Sequence, residues 1–323
     1  MYAVVGILVL FSCQKSDKTA ETSEPVPAIA DRYCGTQEVL QQQLAEDPTL
    51  AARMAEIESF TEAYRRKAKT SPRTGPITIP VFVHVVYNTP AQNISLAQIQ
   101  SQIKVLNQDF SASNTDNNNV SQTEFKTVNG NMDIQFTLAG VRTVTTSKKS
   151  FGTDDGVKYS KRGGDDAVDP SKYLNIWVCN LGQNLLGYAQ FPGGKAATDG
   201  VVILYSAFGS KKEYPQGTYT TNYDLGRTAT HEIGHWLNLR HIWGDATCGN
   251  DQVDDTPPHK TANYRCPDPI EITCPVNTTG FTHEMTMNYM DYTYDGCMYM
   301  FTAGQKLRVD AALAGSRASF ARY

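Results

Sequence analysis

The sequence is short of positive charge: 29 Lys and Arg stand against 33 Asp and Glu, a net charge of -4. Without a basic excess there is no electrostatic case for nucleic acid as a partner. Long apolar runs are missing too. Nothing after residue 12 has the length needed to cross a bilayer, so a membrane can be reached only through the N-terminus. There is no internal repeat, which excludes a solenoid or a propeller. What remains is ordinary for a soluble globular chain: 323 residues, 40% hydrophobic and 19% charged. That length suits one domain of moderate size with a smaller segment attached.

The N-terminus differs from the rest. Residues 2–12 (YAVVGILVLFS) form a short apolar run that ends at Cys13, too short for a span and suited to a signal-peptide core. Leu10, Phe11, Ser12 and Cys13 look like a bacterial lipobox, although the basic residues that usually precede the apolar run are missing. Two readings stay open: lipidation of Cys13, or an ordinary signal with a chance cysteine. Both place the mature chain outside the cytoplasm, secreted or lipid-anchored at the cell surface, where disulfides persist. Four of the seven cysteines, Cys248, Cys266, Cys274 and Cys297, fall close together. They read as two disulfides, with three connectivities allowed by sequence alone. Cys179, inside the apolar run LNIWVC, reads as a buried thiol.

Residues 14–30 are polar with two prolines and read as a tether. Residues 36–69 look helical and run into a basic stretch, Arg65, Arg66, Lys67, Lys69 and Arg73. Such a stretch suits removal of a pro-segment; a solvated basic helix end is the plainer reading. The main domain is expected to start near Thr74, dividing the chain into 1–13, 14–73 and 74–323. Ile77–Tyr87 is a β-branched run and a strand. Ser95 and Gln98 suggest a capping box. It opens a helix whose Leu96, Ile99, Ile103, Leu106 and Phe110 share one face. Strands are expected at 133–141, 173–179, 185–191 and 200–205. One helix, several strands and a later histidine-bearing helix imply a mixed α/β sheet domain. Beyond residue 245 the chain turns Cys-, Pro- and Asp-rich, which reads as an irregular lower part. Its upper subdomain would run to about residue 241 and its lower one from about 242.

The segment carrying chemistry is HEIGHWLNLRH, 231–241. Residues four apart share a helix face, so His231 and His235 can offer two imidazoles to one zinc ion, with Glu232 beside them. On a continuing helix His241 would lie about 9 Å further along the axis at ~1.5 Å per residue, out of reach of that ion. The helix must therefore stop near Leu237, and Asn238 is the residue suited to the left-handed turn. Three neutral imidazoles leave one zinc position open for water. Glu232 would take its proton as it attacks a carbonyl, then pass it to the leaving amine.

This segment resembles the extended metzincin motif H-E-x-x-H-x-x-G-x-x-H, with Asn238 at the Gly position. A second mark comes in Met287-Asn288-Tyr289-Met290-Asp291-Tyr292, which resembles the metzincin Met-turn. Together with the Cys-rich stretch and NYMDYTYDGCMYMFT, the pattern resembles the pappalysin family over roughly residues 75–310. The resemblance implies a metzincin-like catalytic domain: a twisted mixed sheet, a backing helix and an active-site helix above a small irregular C-terminal subdomain. It implies a zinc endopeptidase acting on protein or peptide substrates, with Met290 as a thioether floor and Tyr292 stabilising the tetrahedral intermediate. It pairs Cys248 with Cys274 and Cys266 with Cys297. It implies calcium in the acidic loop 250–256, held by Asp251, Asp254 and Thr256, whose hard oxygen atoms suit that ion. The stretch Arg32-Tyr33-Cys34-Gly35-Thr36 is similar to a family R-x-C-G-T, which implies a zymogen silenced by the Cys34 thiolate. The family also implies a preference for Arg just after the scissile bond, read by an Asp immediately before the segment's cysteine. Here Gly296 holds that position and Asp295 is the nearest acid. The rival reading is a surface lipoprotein merely braced by zinc; three ligands and an adjacent Glu speak for catalysis. His84, His259 and His283 fit no metal spacing.

Overall fold

The β-branched run Ile77–Tyr87 forms β1, the second strand of a five-stranded sheet, in a computed structural model that describes Met1, residues 31–68, Arg73 and residues 75–321. Cys13, the tether, Lys69 and the expected boundary at Thr74 lie outside the described residues. Two helices come first, α1 (Thr36–Glu46) and α2 (Leu50–Ala68). Helix α3 (Leu96–Phe110) comes after β1. A two-residue strand β2 (Asn129–Gly130) precedes β3 (Ile134–Thr145), β4 (Leu174–Cys179), β5 (Gly187–Ala189) and β6 (Val201–Leu204). The sheet runs β3-β1-β4-β6-β5. Its first four strands are parallel and β5 is antiparallel to β6. β4, β5 and β6 are buried along their whole length. Such strands read as continuous apolar runs, because both faces are covered.

Helix α3 backs the sheet, as its pattern predicts, with Ile99, Ile103, Leu106 and Phe110 buried. Two details of that prediction are corrected. Leu96, in the first turn, is 54% exposed. The capping box is half formed: Ser95 accepts from the Gln98 amide, but the Gln98 side chain donates to the carbonyls of Phe208 and Thr218 instead. The loop carbonyls have less access to water than the exposed cap amide and so hold the side chain.

The active-site helix α4 (Arg227–Trp236) lies against β5 and β6 with every residue buried. Beyond α4 the chain is irregular, as expected, with only the short pairs β7 (Tyr264–Arg265) with β8 (Tyr292–Thr293), and β2 with β9 (Phe301–Thr302). The pattern did not point to the helix that closes the chain, α5 (Ala303–Ala314), opened by a full capping box between Thr302 and Gln305. Its inner face carries buried Arg308 and Asp310, which interrupt the apolar stripe that marks a helix. Arg308 is paired with Glu58 of α2 at 2.7 Å. Among the described residues no helix is long and apolar enough to cross a membrane.

Candidate active site

Helix α4 ends because the chain leaves it. Leu237 caps the last turn and Asn238 takes φ 74°, after which the Leu239 amide returns to the Gly234 carbonyl at 2.9 Å. The turn folds His241 back onto the histidines of the helix. The Nε2 of His235 lies 3.1 Å from that of His231 and 3.0 Å from that of His241. These are not hydrogen bonds. The Nδ1 of His231 faces the Tyr289 carbonyl at 2.7 Å and that of His235 the Leu239 carbonyl at 2.8 Å. A carbonyl only accepts, so both Nδ1 atoms carry the proton and both Nε2 atoms present lone pairs. Burial, reinforced by the neighbouring imidazoles, holds His231 and His235 well below the usual histidine range, so both are neutral. His241 Nδ1 lies 2.5 Å from Asp245, the partner that fixes its ring. Three buried lone pairs converge on one point, a donor set that repels itself unless a cation sits between them, and three imidazoles are a zinc set.

A fourth ligand atom reaches the same point. The Cys34 Sγ and one nitrogen from each histidine all lie within 4.8 Å of one another. Cys34 arrives on an extended segment bridged to Gly187 of β5, with the Gly35 amide on the Gly187 carbonyl at 2.9 Å. Burial pushes its thiol well up, with the Glu232 charge adding to it, so a thiolate there requires a cation beside it. Glu232 is buried as well, its carboxyl raised to about 7 by desolvation. Its Oε2 accepts from the Cys34 thiol at 3.3 Å and from the Thr36 hydroxyl at 3.0 Å, while that hydroxyl also accepts the Ala189 amide at 2.9 Å. A Cβ at Gly187 would come within 3.0 Å of Glu232 Cγ, so the absent side chain makes room for this carboxylate.

Met290 is fully buried under the helix. A Cβ on Gly234 would lie 2.4 Å from its sulfur, so Gly234 is what lets the thioether approach. Tyr292 stacks edge-on to His241 with centroids 5.0 Å apart and donates its hydroxyl to the Cys34 carbonyl at 3.4 Å.

Known proteins share this chain's pattern. The peptidase family described as pregnancy-associated plasma protein-A matches residues 158–314. An extracellular metalloprotease of Arthroderma otae is 32% identical over 80% of this chain and 87% of its own length. One from Colletotrichum graminicola is also 32% identical, over 91% and 94%. The chain belongs to the pappalysin family. Among solved structures, a promirolysin mutant from Tannerella forsythia is 43% identical with a TM-score of 0.79, covering 90% of this chain and 97% of its own. Mature mirolysin from the same organism, in complex with a cleaved peptide, is 47% identical with a TM-score of 0.71, covering 77% and 96%. The fold is thus the metzincin-like α/β domain that the sequence implied. This pappalysin is a metalloendopeptidase whose family metal is zinc.

Around the cleft the predicted residues fall in different places. Asp295 is fully buried, and one oxygen pairs with Arg32 at 2.6 Å while the other accepts the amides of Leu225 and Arg227 at the start of α4. A helix N-terminus favours that negative charge. The disulfides join Cys248 to Cys274 and Cys266 to Cys297, and Cys179 is a buried free thiol. The acidic loop is divided. Asp251 is buried and accepts from Thr256 at 2.9 Å, whereas Asp254 is turned outward to Arg65 of α2 at 2.9 Å, its side chain 76% exposed. Arg65 is itself buried and also donates to the Gln252 carbonyl, so the basic end of α2 is not a solvated helix end at that residue. His84 is held between Asp165 and Asn175, and His259 accepts the Met285 amide and lies 3.4 Å from Asp291; neither joins the histidine cluster. Sequence reasoning assigned no part to Arg32, Thr36 or Asp245. Arg32 and Thr36 lie in the same RYCGT motif as Cys34, and Asp245 stands four residues after His241, spacings that carry no warning of these contacts.

Proposed function

We propose that the chain is made as a latent zymogen of a zinc endopeptidase that cuts before arginine. The observation that carries this reading is the segment Arg32–Thr36, which fills the cleft at three points: Cys34 on the histidines, Thr36 on Glu232 and Arg32 on Asp295. His231, His235 and His241 would hold the zinc, with Cys34 as a fourth ligand until the segment leaves. Bound zinc supplies a Lewis acid that polarises a carbonyl and acidifies water. Glu232, next to His231 in the cleft and freed of Thr36 when the segment leaves, is placed to take a proton and return it to the leaving amine. The Tyr292 hydroxyl, raised well above its usual range by burial, stays protonated and donates to a carbonyl in the position of Cys34's. Met290 supports the histidines from below.

Arg32 stands in for a substrate arginine. Its departure leaves a buried carboxylate without its cation, which is costly until another guanidinium arrives. Gly296 therefore does not end the arginine preference; Asp295 serves it. Promirolysin matches more of this chain than mature mirolysin does, which supports residues 14–73 as the pro-segment and 74–323 as the catalytic domain, divided near residue 241. The apolar run 2–12 and the relatives' description as extracellular support export, the mature chain being either secreted or anchored through a lipidated Cys13. Calcium fits the loop once Arg65 has gone. Asp251 is a buried carboxylate raised to about 7 by desolvation, and Asp254 and Thr256 add the hard oxygens a divalent ion requires.

The test is to purify the full chain with zinc and follow release of peptides differing only in Arg or Gln after the scissile bond, with N-terminal sequencing of the active form. Latency followed by loss of the segment containing Cys34, and cleavage at Arg that a chelator abolishes, is the expected result. Full activity with that segment still attached would overturn the zymogen reading.

A further inference from the structure

Asp31, Arg32, Tyr33 and Cys34 run in order away from Arg265, past Asp295, to the histidines. Arg32 is buried on Asp295 at 2.6 Å. Asp31, one residue further from the histidines, lies 3.5 Å from the Arg265 guanidinium, with both side chains open to solvent at 48% and 68% exposure. The occupant of the cleft thus presents an acid and a base side by side, and the protein meets them with a base and an acid.

Arg265 is not loosely placed. It holds φ 63°, a left-handed backbone that a long side chain seldom adopts. Its carbonyl accepts the Tyr294 amide at 2.8 Å, and its strand pairs Tyr264 with Tyr292 and Arg265 with Thr293. The next residue, Cys266, is bonded to Cys297, two positions after Asp295. One disulfide therefore fixes the distance between the cation at 265 and the anion at 295. A substrate whose arginine enters the Asp295 pocket must carry its following residue away from the histidines, where Asp31 now lies.

We infer that Arg265 is a specificity-determining residue that selects an acidic side chain in the substrate position immediately after the arginine. The selection rests on the reading that Arg32 stands in for a substrate arginine. Arg265 acts by charge at an exposed site, so its effect is modest and screened by salt. It favours Arg-Asp and Arg-Glu sequences and works against Arg-Lys.

The experiment uses the active form released from the full chain and quenched-fluorescence peptides with Arg after the scissile bond, followed by Asp, Asn or Lys, plus one with Gln in place of Arg. In low salt kcat/KM should rank Asp above Asn above Lys, with about three- to tenfold between the extremes. The ratio should shrink toward one in 0.5 M salt, and Arg265→Glu should invert it. Because the readout is a ratio within each enzyme, partial loss of active protein does not affect it. If Arg265→Glu does not fold, the salt dependence in the unaltered enzyme decides the matter. Equal rates for Asp and Lys, with the Gln peptide still poor, would overturn the role of Arg265 alone. A Gln peptide cut as well as the Arg peptides would overturn the arginine reading beneath it.

Discussion

Two regions of this protein gather groups that call for a cation, and they meet the need differently. At the cleft, the lone pairs of three histidines and the Cys34 sulfur converge within 4.8 Å, a space that suits a small metal ion and no side chain. At the loop 251–256, Asp251 is closed in on Thr256 while Asp254 is turned outward to the guanidinium of Arg65. At the first site His231, His235 and His241 are oriented by Tyr289, Leu239 and Asp245, all of which follow α4 in the chain. The second is split by Arg65 of α2, near the other end of the chain. A rigid ligand set can be blocked only from outside, by a competing ligand such as Cys34. A loose one can be held off by drawing a single residue away.

The comparison is broken most severely at the first site. Replacing Glu232 by Ala removes the carboxylate placed to exchange protons at the cleft and should lower kcat by about a hundred- to ten-thousand-fold while leaving zinc content unchanged, measured by metal analysis of the purified chain. Loss of zinc together with activity would mean that Glu232 supports the site and does not act in the reaction. Next in size is Asp295→Asn. Truncating one side of a buried charged pair costs roughly 2–5 kcal/mol. The kcat/KM ratio of Arg over Gln peptides should therefore fall at least about thirtyfold. An unchanged ratio would assign the pocket to another group. Smaller again is Cys34→Ala. With Arg32 and Thr36 still in place, the pro-form should activate about tenfold faster, as ~1.4 kcal/mol of lost restraint gives. An unchanged lag, followed by gel and peptide release, would leave latency to Arg32 and Thr36.

The two regions also differ in how far they could be read from the chain. The histidine cluster was open to sequence because its ligands lie within eleven residues and one ion must touch all three. That demand alone requires the helix to end before Asn238, which takes φ 74°. The strands were equally plain, since Ile77–Tyr87 and Leu174–Cys179 are apolar runs covered on both faces. Contacts between distant segments were not. Arg32 and Asp295 are separated by 263 positions, and neither residue type in isolation implies burial. Asp254 sits in a loop whose composition suits calcium, but nothing local shows that Arg65 will reach it. Leu96 fits the apolar stripe of its helix and is nonetheless exposed, as the first residue of that helix. Helix α5 was hidden for the opposite reason, its inner face being held by Arg308 and Asp310 pairs instead of an apolar stripe.

The smallest predicted effect separates the two regions by pH. Burial raises the Asp251 carboxyl to about 7, above the ~3.9 of an unfolded aspartate. The folded chain then keeps a proton that the unfolded chain has lost. The stability tied to this group is complete below about pH 4, declines as pH rises, and levels off above the folded value of about 7. The melting temperature of the calcium-free active form should therefore fall between about pH 5 and 7 through this group, by an amount that Asp251→Asn removes. Calcium binds the charged carboxylate and only in the folded chain, so at neutral pH it should recover about 2.7 kcal/mol at a hundredfold excess over its Kd. The recovery should be smaller in the full chain, where Arg65 holds Asp254 away. Equal recovery in both forms would leave Arg65 no part in holding calcium off. No recovery in either would take calcium out of the loop, and leave the cleft as the region that gathers donors for a metal.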